Sequence, residues 1–192
     1  MKWLLIVGFV VAAAYVVTWP VRAHNALVRM QTVVVESWRG IDIELVRRWD
    51  LIPRLADVAR AYARHEAHTL LALAEQRSAT TLPDDPDSAF RALHDRDVVE
   101  TAAEQDAELA RALGRLQVVA EGTPKLQASK HYAKVRAALT DTEDRIAAAR
   151  RLYNGNVSRY NARLRAFPTS TIARRAGFAP AEYFELSDDR AD

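Results

Sequence analysis

Between Trp3 and Trp19 the opening stretch MKWLLIVGFVVAAAYVVTWP carries no charged side chain, and this run of 17 residues constrains the fold more than any other feature. As a helix it spans roughly 26 Å at ~1.5 Å per residue, close to the ~30 Å hydrocarbon thickness of a bilayer. Trp3 and Trp19 mark its two ends, where indole rings favour the headgroup region. The run reads as a retained transmembrane anchor over residues 1–23, in contact with the lipid bilayer through residues 3–19. A cleaved signal peptide is the alternative, because Lys2, the apolar stretch and Val21-Arg22-Ala23 meet its loose requirements. The length of the run and the helical pattern continuing beyond it favour retention. Lys2 and the amino terminus precede the span while Arg22, Arg29 and Arg39 come after it, a balance tipped towards a cytoplasmic soluble domain.

Beyond the anchor the chain is patterned for helix throughout. Leu27, Met30, Val34, Trp38, Ile41, Leu45 and Trp49 recur at three- and four-residue steps, one apolar stripe along one helix. Asp50 is placed to cap a second helix with Pro53 in its first turn, a stripe of Leu55, Ala59, Tyr62, Leu70 and Leu73, and an end near Thr80. One kinked helix running through residues 49–53 is the open alternative. TTLPDDPDS at 80–88 is the plainest break. A third helix is expected from Ser88 to Glu121 with Leu109, Ala112, Leu116 and Val119 on one side. A fourth is expected from after Ser129 to Ala166, stopped by Phe167-Pro168. With only 6 Gly and 7 Pro in 192 residues, sheet is disfavoured. The expected fold is all-α: the transmembrane helix, then an antiparallel up-down four-helix bundle of long helices at 24–168. A short C-terminal tail with a short helix completes the chain at 169–192.

The fourth helix repeats Tyr-Asn at a seven-residue interval, Tyr153-Asn154 and Tyr160-Asn161. Ile146, Ala149, Tyr153, Val157, Tyr160, Leu164 and Phe167 make a heptad stripe of coiled-coil type, which puts the tyrosines on the core face. Asn154 and Asn161 then form a second row at the seam with a neighbouring helix. Buried amides need partners, and partners across helices would fix the register of the bundle. A ligand site built from the two pairs is the rival reading. Asn154-Gly155 is also a hairpin signal, overruled by the heptad spacing of its flanks.

The stretches SWRGIDIELVRRWDLIPRLADVARAYARHE, TEDRIAAARRLYNGNVSRYN, FPTSTIARRAGF and EYFE resemble the LemA family of bacterial membrane proteins, over nearly the whole chain from the anchor to Glu185. The resemblance implies one N-terminal transmembrane helix, a helical-bundle domain and no established catalytic activity. Relatives carry another Tyr-Asn where this chain has His24-Asn25. No catalytic residue transfers from the resemblance.

Chemistry is sparse. The absence of cysteine removes disulfides, thiolate zinc sites and cysteine nucleophiles together. His65, Glu66 and His68 invite a metal reading, but a zincin helix needs histidines four apart and these are three apart. Phosphate loops, dinucleotide fingerprints and nucleophile elbows are missing from the sequence. Arg47-Arg48 with Asp50 reads as C-terminal helix cations beside an N-cap, in preference to a salt-bridged knot. Residues 84–108 hold nine acidic and two basic side chains, whereas 145–175 hold eight arginines and no acid. In an up-down bundle these blocks lie side by side and neutralise each other in part. Arginines left over, Arg174 and Arg175 above all, would face anionic headgroups.

The functional expectation is a membrane-anchored interaction or scaffold protein of the bacterial cell envelope, without catalytic activity, cofactor or nucleic-acid partner. Protein partners would be met through bundle grooves and the tail aromatics Phe178, Tyr183 and Phe184, or a second copy through the apolar stripes. The alternative is a metal- or ligand-binding enzyme with a site between helices, around His65, Glu66, His68 and the Tyr-Asn rows.

Overall fold

A computed structural model describes residues 2–77, 82–94 and 96–184, and these are all helix, turn and loop with no strand among them. The helices are α1 (Lys2–Ala59), α2 (Arg64–Gln76), α3 (Pro86–His94), α4 (Arg96–Glu121), α5 (Pro124–Gln127), α6 (Lys130–Arg165) and α7 (Thr169–Arg175).

The first helix is a single rod of 58 residues, about 87 Å long at ~1.5 Å per residue. Its first third stands clear of the rest. Trp3, Ile6, Phe9, Tyr15, Val16 and Val17 are exposed, and burial begins at Ala23 and Leu27. This apolar, uncovered stretch is long enough to cross a membrane.

Pro53 lies inside α1, which corrects the expected turn at 49–53. A proline in a helix interior forfeits one backbone hydrogen bond and costs about 3 kcal/mol. Here the apolar stripe keeps its phase across it. Trp49 and Ile52 before the proline and Leu55, Ala56 and Ala59 after it are all buried in one cluster. Each fully buried Ile or Leu contributes about 1.5–3 kcal/mol, enough to carry the helix through. Asp50 is therefore an exposed residue within α1 and caps nothing. The chain reverses instead at residues 60–63, where Tyr62 N–H and Ala63 N–H both donate to the Ala59 carbonyl, at 2.9 and 2.8 Å. Tyr62, expected on the stripe, is 45 % exposed in this turn.

α6 starts where the sequence indicates, with the Ser129 hydroxyl accepting from Tyr132 N–H, and ends at Arg165. It packs antiparallel to α1 in one register. Gln31 meets Tyr160, Trp38 meets Tyr153 and Arg48 meets Glu143, and in each pair the residue numbers sum to 191. Where the third helix is expected, the described residues form α3 and α4, on either side of residue 95. Asp85 accepts from Ser88 N–H at 2.9 Å and closes the first turn of α3.

Two apolar clusters form the core. The distal one is shared by α1, α2, α4, α5 and α6, with Leu70, Leu109, Leu116, Leu126 and Tyr132 buried. The other, nearer the free part of α1, joins α1, α3, the start of α4, α6, α7 and the chain after α7. Four long helices of equal reach are thus not what the described residues form. With α2 only 13 residues long, α3 and a non-helical tail complete the packing in the half nearer the free part of α1.

Candidate functional site

The cluster nearer the free part of α1 holds the Tyr-Asn repeat, and its two asparagines are partnered by the chain's own tail, not by a neighbouring helix. After α7, Gly177 adopts φ +74°, a left-handed conformation that glycine takes without strain, and turns the chain back along α6. The tail then runs antiparallel to α6. Asn161 donates to the Ala181 carbonyl and accepts from Ala181 N–H, both at 2.9 Å. Asn154 does the same with Phe184, at 3.1 and 2.9 Å. Tyr160 Oη donates to the Ala179 carbonyl at 2.9 Å, and Tyr153 Oη to that of Glu182 at 2.8 Å.

Geometry explains the seven-residue interval. Two helical turns rise about 10.5 Å, and three residues of extended chain reach about 10 Å. Asn161 and Asn154 therefore meet tail residues three apart, as do Tyr160 and Tyr153. Each asparagine offers its amide as one rung of a ladder, satisfying a buried N–H and C=O at once. Six side-chain hydrogen bonds thus fix the backbone of residues 179–184.

The tail aromatics close over this ladder. Phe184 is 2 % exposed and packs on Trp38 with ring centroids 5.8 Å apart, while Trp38 meets Tyr153 edge-on at 5.4 Å. Arg150 lies over the Phe184 ring at 5.9 Å. Phe178 meets His24 edge-on at 5.2 Å. Phe184, expected to reach out to a partner, is turned into the core; Phe178 and Tyr183 are half-buried against it. Burial pushes the Tyr160 phenol up to about 12, the hydrogen bond from Gln31 opposing. Tyr153 is raised further, by burial and then by the Glu182 charge. Both phenols thus hold their protons as donors.

A second polar cluster lies between the two apolar ones. Arg48 is 3 % exposed and donates to Asp106 on α4 at 2.6 Å and to Glu143 on α6 at 2.8 Å. Arg48 is thus the centre of a salt-bridged knot, which corrects the expectation of a terminal cation beside an N-cap. Its acidic partners lie 58 and 95 residues away, beyond the reach of any local pattern. Asp106 is spent on Arg48 and Arg145 pairs with Asp141 on its own helix, so neither of these pairs joins the acidic block 84–108 to the arginines of 145–175.

The remaining candidates are dispersed. His65 and His68 are exposed on α2, whose core contacts belong to the distal cluster, so they do not meet the Tyr-Asn rows in the other half. No group of three or more metal-ligating side chains is present among the described residues. Arg174 and Arg175 are exposed on α7. Phe167, expected at the end of the core stripe, lies beyond α6 and is 87 % exposed. Glu185 lies outside the described residues.

The family model for the LemA family matches residues 37–192. The chain belongs to the LemA family. The matched segment takes in the Arg48 knot, the Tyr-Asn ladder and the tail, and leaves out most of the apolar part of α1. Magnetosome proteins MamQ 1 and MamQ 2 of Paramagnetospirillum magneticum are each 39 % identical over 80 residues, 42 % of this chain and 29 % of theirs. Magnetosome protein MamQ of Magnetospirillum gryphiswaldense is 35 % identical over 79 residues, 41 % of this chain and 29 % of its own. The chain thus matches less than a third of the length of these curated relatives. Family membership and the one helix among the described residues that is long and apolar enough to cross a membrane make this a membrane-associated helical protein.

Proposed function

We propose that this LemA-family chain is a membrane-tethered interaction module, a scaffold or accessory subunit of the bacterial cell envelope that performs no turnover. The tether is a single pass, with the helical domain on the cytoplasmic side. One observation carries the reading: the apolar segment and the core stripe are consecutive parts of one helix. A domain welded to its anchor in this way holds a fixed height and orientation at the bilayer, which suits presenting a surface to a protein partner or a second copy. The curated relatives are named for a cellular structure, not for a reaction. Exposed apolar positions on the helical domain include Ile43, Val118 and Leu152. Isolated exposed apolar residues are ordinary, so contact has to be measured at each.

The test is photocrosslinking of the full-length chain in its native membrane from residues 43, 118 and 152 separately. A discrete adduct from one position and not the others is the expected result, its mass separating a foreign partner from a second copy. No adduct from any position, together with stoichiometric metal or substrate turnover in the untagged protein, would replace this reading with an enzymatic one.

A further inference from the structure

The constant register between α1 and α6 fixes what lies beside the bilayer. It places Arg165, the last residue of α6, level with Ala26, and the ring contact of Phe178 with His24 puts Phe178 five residues of α1, about 7.5 Å, beyond Trp19. The polar layer on each side of a bilayer is about 5–8 Å thick, so this end of the domain sits at headgroup height. From here the end of α6, α7 and the start of the tail line an open cavity of about 600 Å³, with Leu164, Arg165, Ser170, Arg174, Phe178 and Tyr183 among its walls and no carboxylate.

We propose that this cavity binds the headgroup and upper glycerol region of an anionic phospholipid, Arg165 and Arg174 meeting the phosphate while Phe167 enters the bilayer beside it. The inference rests on the reading of residues 3–19 as a membrane span. Arg165 and Arg174 make no ion pair among the described residues, and both are exposed. Arg174 Nε donates to the Ser170 carbonyl at 3.4 Å, which aims the guanidinium along α7 and leaves its two amino groups for a ligand. The lining is of two chemical kinds: arginines and Ser170 offer charge and hydrogen bonds, while Leu164, Phe178 and Tyr183 offer apolar and aromatic surface. A free phosphate would use only the first half, whereas a phospholipid has a charged head and an apolar body for both. Phe167, two residues beyond Arg165 and 87 % exposed, is otherwise a large apolar ring in water. Arg22 and Arg175, also exposed, add positive charge to this end of the molecule.

Native mass spectrometry of the full-length protein in a neutral detergent tests this, with phosphatidylglycerol, phosphatidylcholine or inorganic phosphate added. The parent is expected to retain phosphatidylglycerol at least about tenfold over phosphatidylcholine, as two arginine contacts to an anionic lipid imply. Arg165→Gln with Arg174→Gln should lose that preference, and Arg115→Gln with Arg151→Gln, which alters exposed arginines elsewhere, should keep it. Equal retention by the first pair, or no preference in the parent, overturns the proposal. Displacement of the lipid by millimolar phosphate would assign the cavity to a soluble anion and overturn it too. Alkaline extraction of membranes reads the span separately: release of the parent would refute the anchor whatever the lipid result.

Discussion

Replacing Asn161 by alanine tests the tail ladder where it is most buried. Asn161 is 9 % exposed and supplies both hydrogen bonds of Ala181. Without it, a buried N–H and a buried C=O lose their partners, at about 1–3 kcal/mol each if the tail stays in place. The tail need not stay. Ordering residues 179–184 costs about 1–2 kcal/mol per residue in backbone entropy. The return is the burial of Phe184, about 1.5–3 kcal/mol, the smaller burial of Ala181, and six hydrogen bonds at about 0.5–1.5 kcal/mol each. The opposing terms are of similar size, so docking is favourable by no more than about 2–3 kcal/mol, and the loss of two bonds tips the tail off. The expected destabilisation is about 2–3 kcal/mol in urea unfolding, capped by the free energy of docking itself. Asn154→Ala should cost about the same, and the double variant little more than either, because a tail already released cannot be released twice. Hydrogen exchange gives the local signature: amides of Ala181 and Phe184 lose protection in all three variants while those within α6 keep theirs. Full additivity of the two substitutions, or unchanged protection at 181 and 184, would refute the reasoning.

Asp106→Ala should destabilise by about 3–5 kcal/mol in urea, because it leaves a buried guanidinium with Glu143 alone; Arg48→Met with Asp106→Leu should recover most of that loss. Equal losses in the two variants would show that the charges are not the cause. Alkaline pH should loosen the protein. Tyr153 and Tyr160 keep their protons in the folded chain when an unfolded tyrosine, with its ordinary value near 10, has lost them, so the unfolded state binds fewer protons. Stability contributed by these phenols is complete below about pH 10 and falls as pH rises towards 12, and Tyr160→Phe should flatten that fall in a urea-midpoint profile against pH.

The sequence makes some of this legible and hides the rest for physical reasons. Tyr153, Val157 and Tyr160 are core residues by spacing alone, because a helix of 36 residues repeats its periodicity enough times to be unambiguous. The break between α1 and α2 is hidden: Arg60-Ala61-Tyr62-Ala63 contains no residue that favours a turn, while Pro53 signals one that packing overrides. The Arg48 knot is invisible because its partners are brought close by the tertiary fold, not by the local pattern. The tail ladder had half a signal, two asparagines at a fixed interval. The other half is backbone, which carries no side-chain pattern to match. The cavity depends on the height of α6 beside α1, which becomes readable once three cross-helix pairs set the register.

One continuous helix through membrane and core, with Pro20 inside it, is open to a direct distance measurement because the chain has no cysteine of its own. Spin labels on Val17→Cys and Glu36→Cys of the full-length protein in lipid nanodiscs are separated by 19 residues of α1, about 28 Å of unbroken helix. Pulsed electron resonance should give one narrow distribution near that value. A broad or much shorter distribution, or loss of the label at position 17 because the mature chain starts beyond Ala23, would contradict the account.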